Sequence, residues 1–159
     1  MKITLLTVGK IKEKYWTMAI DEYKKRLGRY CTLEIIETAD EKTPDNASDK
    51  EEQMIRDKEG ERLAAKLKDN AYVIAMAING KAYDSEGLAA HIDQLCIRGE
   101  SHLVFIMGGS LGLSEHILKI ADEKISFSRL TFPHQLMRVI LLEQIYRCFR
   151  INHGEPYHK

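Results

Sequence analysis

HLVFIMGGSLGLS, residues 102–114, sets an apolar run directly before Gly108-Gly109-Ser110 and a third glycine, Gly112. A run that is apolar at successive positions, and too short for a typical helix, reads as a strand covered on both faces. YVIAMAI (72–78) has the same character, and Asn79-Gly80 then turns the chain. Between the two strands Asp84 or Ser85 can cap a helix that ends near Arg98-Gly99. Two buried strands joined through a helix form a parallel pair, because parallel neighbours need a long crossover. The pattern continues outward. ITLLTV (3–8) reads as a strand and EKYWTMAIDEYKKRL (13–27) as a helix with Trp16, Ile20, Tyr23 and Leu27 on one face and Gly28 as its stop. LEIIET (33–38) alternates as a strand does, and ADEKTPDNASDK reads as a surface loop. Ser48-x-x-Glu51 is a capping box for a helix to about Lys68, whose many charges suggest a solvated face. After residue 114, Ser114 caps a short helix, ISFS (125–128) is a last strand, and Pro133 opens a long final helix as its first residue. Strand and helix in regular alternation imply an α/β fold, a parallel sheet with helices on both faces, in one domain over residues 1–159.

The 24 basic and 24 acidic side chains cancel, so nothing global marks a nucleic-acid binder. The distribution is uneven: residues 1–30 hold 8 Lys/Arg against 3 Asp/Glu, and residues 31–70 hold 7 against 12. The basic segment from Lys10 to Arg29 can therefore face a polyanion while the whole stays neutral. Cys31, Cys96 and Cys148 form neither a disulfide framework nor a metal-ligand spacing, and read as packed thiols in a reducing compartment. No metal is expected. KITLLTV is too short for the core of a signal peptide, and no stretch approaches the ~18 apolar residues of a membrane helix. The expectation is a soluble, cytoplasmic protein with no membrane partner.

Ligands of open α/β sheets collect at the carboxyl ends of strands, here Met76–Asn79, Met107–Gly112 and Phe127–Pro133. The glycine loop is not a P-loop, which needs G-x-x-x-x-G-K-[ST]; no Lys follows Gly112 until Lys119. Nor is it a dinucleotide fingerprint, which follows the first strand as G-x-G-x-x-G. Gly108 and Gly109 then either let a flat group lie against the main chain or make a tight turn. ISFSRLTFPH leaves backbone groups exposed at the sheet edge, able to read an adenine without any phosphate site.

GGSLGL, SFSRLTFPHQLMRVILLEQIYR and the tail HGEPYHK resemble the RlmH-type ribosomal RNA methyltransferases, a single-domain branch of the SPOUT superfamily; the resemblance runs from KITLLTVGKIKEKYW to the last residue. It implies a parallel-sheet, Rossmann-like SPOUT fold with a C-terminal trefoil knot, a homodimer, and S-adenosylmethionine as methyl donor. By similarity Met76, Gly108, Phe127, Ser128, Arg129, Leu130, Thr131 and Phe132 contact that donor, with Met76 standing where Leu is more usual. The implied target is N3 of a pseudouridine in large-subunit (23S) ribosomal RNA, met on the assembled ribosome. A tRNA-directed SPOUT enzyme and a non-catalytic RNA-binding or ribosome-assembly factor are the alternatives.

From Leu136 to Ile151, 11 of 16 positions are apolar, leaving a narrow polar arc at Glu143, Arg147 and Arg150. Such a helix is covered on more than one side, as burial between the sheet and a second subunit would achieve. Arg138 projects from the apolar arc and calls for a carboxylate or an anion. Methylating N3 requires loss of a weakly acidic proton, so a base or a cation near the pyrimidine oxygens is needed. The candidates are His134, Arg147, Tyr157 and His158. Arg147 suits phosphate or carbonyl stabilisation, and Tyr157 and His158, contributed across the dimer, suit placement of the base.

Overall fold

The computed structural model describes residues 1–157. Its elements are β1 (Lys2–Val8), α1 (Lys14–Leu27), β2 (Thr32–Thr38), α2 (Asp49–Ala64), β3 (Tyr72–Ala82), α3 (Ser85–Ile97), β4 (His102–Met107), α4 (Glu115–Ile120), β5 (Glu123–Ser126) and α5 (His134–Asn152). The five strands form one sheet in the order β2-β1-β4-β3-β5, and every ladder is parallel. All carboxyl ends consequently lie along one edge.

The period of two along each strand divides the core into two layers. Ile3 and Leu5 of β1, Ile74 of β3 and Leu103, Phe105 and Met107 of β4 face α1, α3 and α5. Leu6 and Val8, Val73, and Val104 and Ile106 face the other way, onto Leu63 of α2 and Ile117 of α4. Strands clothed on both faces need apolar residues at successive positions, which is why 103–107 carries no polar residue. No helix among the described residues is long and apolar enough to cross a membrane.

Several boundaries differ from the sequence expectation. β3 does not end at Asn79-Gly80. It leaves the ladder after Met76 and rejoins at Lys81, so that Met76 and Lys81 both pair with Ile125. Gly80 permits this excursion, since a Cβ there would lie 2.6–2.7 Å from the main chain of Lys124 and Ile125. β5 stops at Ser126, which places Phe127 and Ser128 in the loop beyond it. Pro133 is the N-cap of α5, with extended ψ of 128°, and the first helical residue is His134. α2 ends at Ala64, short of Lys68, because the chain tightens into i→i+3 turns there, Lys66 N–H to Leu63 O and Leu67 N–H to Ala64 O.

The capping box of α2 forms as expected: the Ser48 hydroxyl accepts from the Glu51 N–H, and the Glu51 carboxylate accepts from the Ser48 N–H. Ser48→Ala is expected to lower stability by about 1 kcal/mol, measured as a shift in the urea midpoint at unchanged slope; an unshifted midpoint would mean that water replaces the cap without loss. α2 is not solvated throughout, however. Ile55, Glu59, Gly60 and Leu63 are buried, and Gly60 lets the helix close on Ser114, whose hydroxyl would lie 2.2 Å from a Cβ. Cys31 and Cys148 are buried and their thiols pushed up to about 11 and about 12 by that burial, whereas Cys96 is exposed on α3.

α5 packs against α1 and α3 within its own chain. Those helices and the sheet, rather than a second subunit, bury Leu141, Leu142, Ile145, Tyr146, Cys148 and Phe149. Leu136, Ile140, Gln144, Arg147 and Ile151, spaced three and four apart, remain as a half-buried stripe. Arg138 is 1% exposed. Its guanidinium donates to the carbonyls of Val8 and Gly9 at 2.7 and 2.9 Å and to Glu37 at 2.9 Å. It thus joins α5 to the carboxyl ends of β1 and β2, the structural pairing that an arginine on an apolar arc requires.

Candidate functional site: a cleft at three strand ends

β4, β3 and β5 are neighbours in the sheet, so the segments that follow their pairing regions meet at one edge. They enclose a cleft of about 580 Å³. Met76, Gly108, Phe127, Ser128, Leu130, Thr131, Phe132 and His134 all line it, together with Ile78, Ser110, Leu111, Gly112 and Met137. Arg129 does not; it points to solvent between its neighbours. Among the described residues no Lys, Arg, Asp or Glu lines the cleft. A polyphosphate would find no compensating cation there, whereas an uncharged base and sugar would find apolar walls and main-chain donors and acceptors.

The glycine loop closes on itself. Gly112 has φ +81°, its N–H donates to Gly109 O at 3.1 Å, and the two residues form an isolated antiparallel bridge. A Cβ on Gly108 would meet Gly112 C at 2.5 Å, and one on Gly109 would lie 3.3 Å from Glu59 Oε2 and Val8 Cγ1. The space freed by the missing side chains is therefore filled by the protein itself. The glycines shape a tight turn whose main chain forms the cleft wall. The opposite wall is held by Ser126 Oγ donating to Ser128 O and by Leu130 N–H donating to Ser128 Oγ at 2.9 Å, which leaves Leu130 70% exposed at the rim.

Beneath the glycine loop lies Glu59, only 5% exposed, its Oε1 accepting the Glu41 N–H at 3.0 Å. Burial, with Asp40 and Glu41 nearby, raises its pKa. Local pattern hides this carboxyl among the charges of α2, and the cue to its burial is its four-residue spacing from both Ile55 and Leu63. Among the described residues His134 is the one titratable side chain lining the cleft. Burial and then the Arg138 charge lower its pKa, against the pull of Asp40, which favours the neutral imidazole over the cation.

Arg147 and Tyr157 are not in this cleft. Tyr157 packs edge-on against Tyr146 with ring centroids 5.0 Å apart, and the Arg147 guanidinium lies 4.7 Å over the Tyr157 ring. Glu155 pins the tail further, pairing with Arg29 and Arg150 and accepting the Tyr30 hydroxyl at 2.6 Å. Up to Tyr157 the tail is therefore tied down rather than frayed. Tyr157 is pushed up to about 12 by burial and the nearby Glu143 carboxylate, so its phenol remains protonated at neutral pH. His158 lies outside the described residues. No group of three metal-binding side chains occurs among those described.

Residues 1–158 match a family described as "Predicted SPOUT methyltransferase". The chain is 65% identical to the ribosomal RNA large subunit methyltransferase H of Bifidobacterium adolescentis, over 159 residues and all of both chains. It is 61% identical, again over the full length of both, to the protein of that name from Clostridioides difficile, and 58% to that of Clostridium acetobutylicum. Similarity that runs through all three strand ends and the tail alike leaves one assignment: the chain belongs to the SPOUT methyltransferase family.

Proposed function

We propose that the protein transfers a methyl group from S-adenosylmethionine to N3 of a pseudouridine in large-subunit ribosomal RNA, on the assembled ribosome and as a homodimer. The observation that carries the reading is the cleft without charged side chains at the ends of β3, β4 and β5. Full-length relatives named as large-subunit ribosomal RNA methyltransferases support the RNA target. Met76, Phe127, Phe132 and Met137 would pack against the adenosine, with the main chain of 108–112 and 127–132 reading its edges. When bound, the donor supplies an activated methyl group as a sulfonium. The protein's task is then to hold the acceptor in line and to manage the N3 proton. His134, which lines the cleft and whose burial favours the neutral imidazole, is suited to accept that proton. Tyr157, a persistent phenol, is suited to placing the base, and Arg147 to stabilising charge on a pyrimidine oxygen or a phosphate.

Arg147 and Tyr157 lie off the lining of their own chain's cleft, so in this reading the tail of one subunit serves the cleft of its twin. The half-buried stripe Leu136, Ile140, Gln144, Arg147 and Ile151 supports a second subunit on that side of α5. Exposed Tyr15 and Met18 on α1 add apolar surface to be covered. The trefoil knot belongs to the same reading, since the 127–133 loop and the glycine loop share one cleft.

The test combines calorimetry with labelling. Saturating S-adenosylmethionine is expected to release or absorb measurable heat and to stabilise the protein by about 2.7 kcal/mol at a hundred times Kd. Methyl-labelled donor should label ribosomes, with mass mapping placing the methyl on a large-subunit pseudouridine, and the chain should sediment at twice 18.3 kDa. No heat and no stabilisation would favour a binding module, and label appearing in tRNA would favour a tRNA enzyme.

A further inference from the structure

One carboxylate, which the reading above leaves without a task, holds both tail-side candidates. Glu143 Oε1 accepts from Arg147 Nε at 3.1 Å, from Arg147 Nη2 at 2.7 Å and from the Tyr157 hydroxyl at 3.1 Å. Its Oε2 accepts from the Gln144 amide. Gln144 Oε1 in turn accepts the hydroxyl of Ser85, the first residue of α3, at 3.3 Å. The side-on, two-nitrogen grip on Arg147 fixes the plane of the guanidinium as well as its position. That plane lies over the Tyr157 ring, where cation–π attraction adds to the ion pair. An exposed ion pair of this spacing on a helix contributes little by itself. Here the Glu143 side chain is only 18% exposed and accepts from the side chains of three residues, two of which, Arg147 and Tyr157, belong to the proposed active centre.

We propose that Glu143 is a positioning residue for methyl transfer: its carboxylate sets the Arg147–Tyr157 stack on α5 before RNA arrives, so that the target pyrimidine meets a rigid platform. The inference rests on the methyltransferase reading. It acts on orientation of the acceptor and not on the donor, because Glu143 does not line the donor cleft. Preorganisation of this kind contributes to kcat, since no binding energy is then spent on ordering the tail.

The experiment uses full-length Glu143→Ala and Glu143→Gln, assayed with methyl-labelled S-adenosylmethionine on ribosomes from cells lacking this protein. Donor affinity is read by calorimetry, and tyrosine ionisation by absorbance, with Tyr157→Phe identifying the Tyr157 transition. In Glu143→Ala, kcat is expected to fall at least tenfold, donor Kd to stay within twofold, and the Tyr157 transition to move down from about 12. In Glu143→Gln, whose amide oxygen still accepts the phenol but which has lost the charge, a smaller fall in kcat and a lowered Tyr157 transition are expected. Unchanged kcat in both variants would overturn the inference. So would a parallel loss of donor affinity, kcat and thermal midpoint, which marks a structural residue. If the unsubstituted protein labels no ribosomes, the methyltransferase reading fails and this inference with it; labelling by the unsubstituted protein at the rate of Glu143→Ala sinks the inference alone.

Discussion

Gly108→Ala is expected to weaken S-adenosylmethionine binding by two orders of magnitude or more. The added methyl would sit 2.5 Å from Gly112 C and 2.6 Å from Gly112 O, both main-chain atoms with no rotamer to give way. Relief requires the loop to open. That breaks the Gly112 N–H to Gly109 O bond and displaces the cleft wall against which the donor would rest in the proposed function. Overpacking of this kind costs about 1–3 kcal/mol, and more where backbone must move; each 1.4 kcal/mol charged to the cleft is tenfold in affinity. Gly109→Ala provides the contrast. Its methyl would be 3.3 Å from Glu59 Oε2 and Val8 Cγ1, both side-chain atoms able to yield by tenths of an ångström. Calorimetry on the two variants checks the argument, and equal donor affinity in Gly108→Ala and the parent would show that the loop does not form the donor wall.

Arg138→Ala is expected to be the most destabilising single change at a charged position. The guanidinium is buried while Glu37 is exposed, so the loss falls mainly on the carbonyls of Val8 and Gly9, each buried acceptor left without a donor costing about 1–3 kcal/mol. Glu37 keeps water and a bond from the Ile11 N–H at 3.1 Å. Arg138→Lys should recover only part of the loss, since a point charge cannot serve two strand ends and a carboxylate at once. Urea unfolding measures both, and a loss below about 1 kcal/mol for Arg138→Ala would place the guanidinium outside the folding core. The same charge depresses His134. In folded Arg138→Ala, which removes that charge, His134 should therefore titrate at higher pH than in the parent, as followed by imidazole proton resonances.

The alternation of strands and helices is legible in the chain because burial imposes two different periods on it. HLVFIMGG and YVIAMAI could only be strands covered twice, and the Ser48 and Ser114 caps mark helix starts by their hydroxyls. The cleft is legible for a further reason: in a parallel sheet every strand delivers its carboxyl end to one edge. What local pattern does not carry is distance along the chain. The order β2-β1-β4-β3-β5 depends on which covered strands find each other. The excursion at 77–80 depends on β5 lying against Gly80. Glu59 was hidden because a carboxyl among many carboxyls looks solvated, and its burial arises from the glycine loop 50 residues away. The apolar girth of α5 pointed to two covering surfaces, and α1 and α3 proved to supply much of that cover from within the chain.

β4 is bonded to β1 on one side and to β3 on the other, and it alone connects the two halves of the sheet. During synthesis, then, a ribosome-bound nascent chain that has exposed β1 to β3 owns two fragments with no ladder between them. Only when His102–Met107 clears the exit tunnel can they be joined, and among the described residues no strand hairpin offers a faster local start. Until that moment the greasy flanks of β1 and β3 are open to other molecules, so the interval before β4 emerges is the one in which a holding chaperone is expected to matter most.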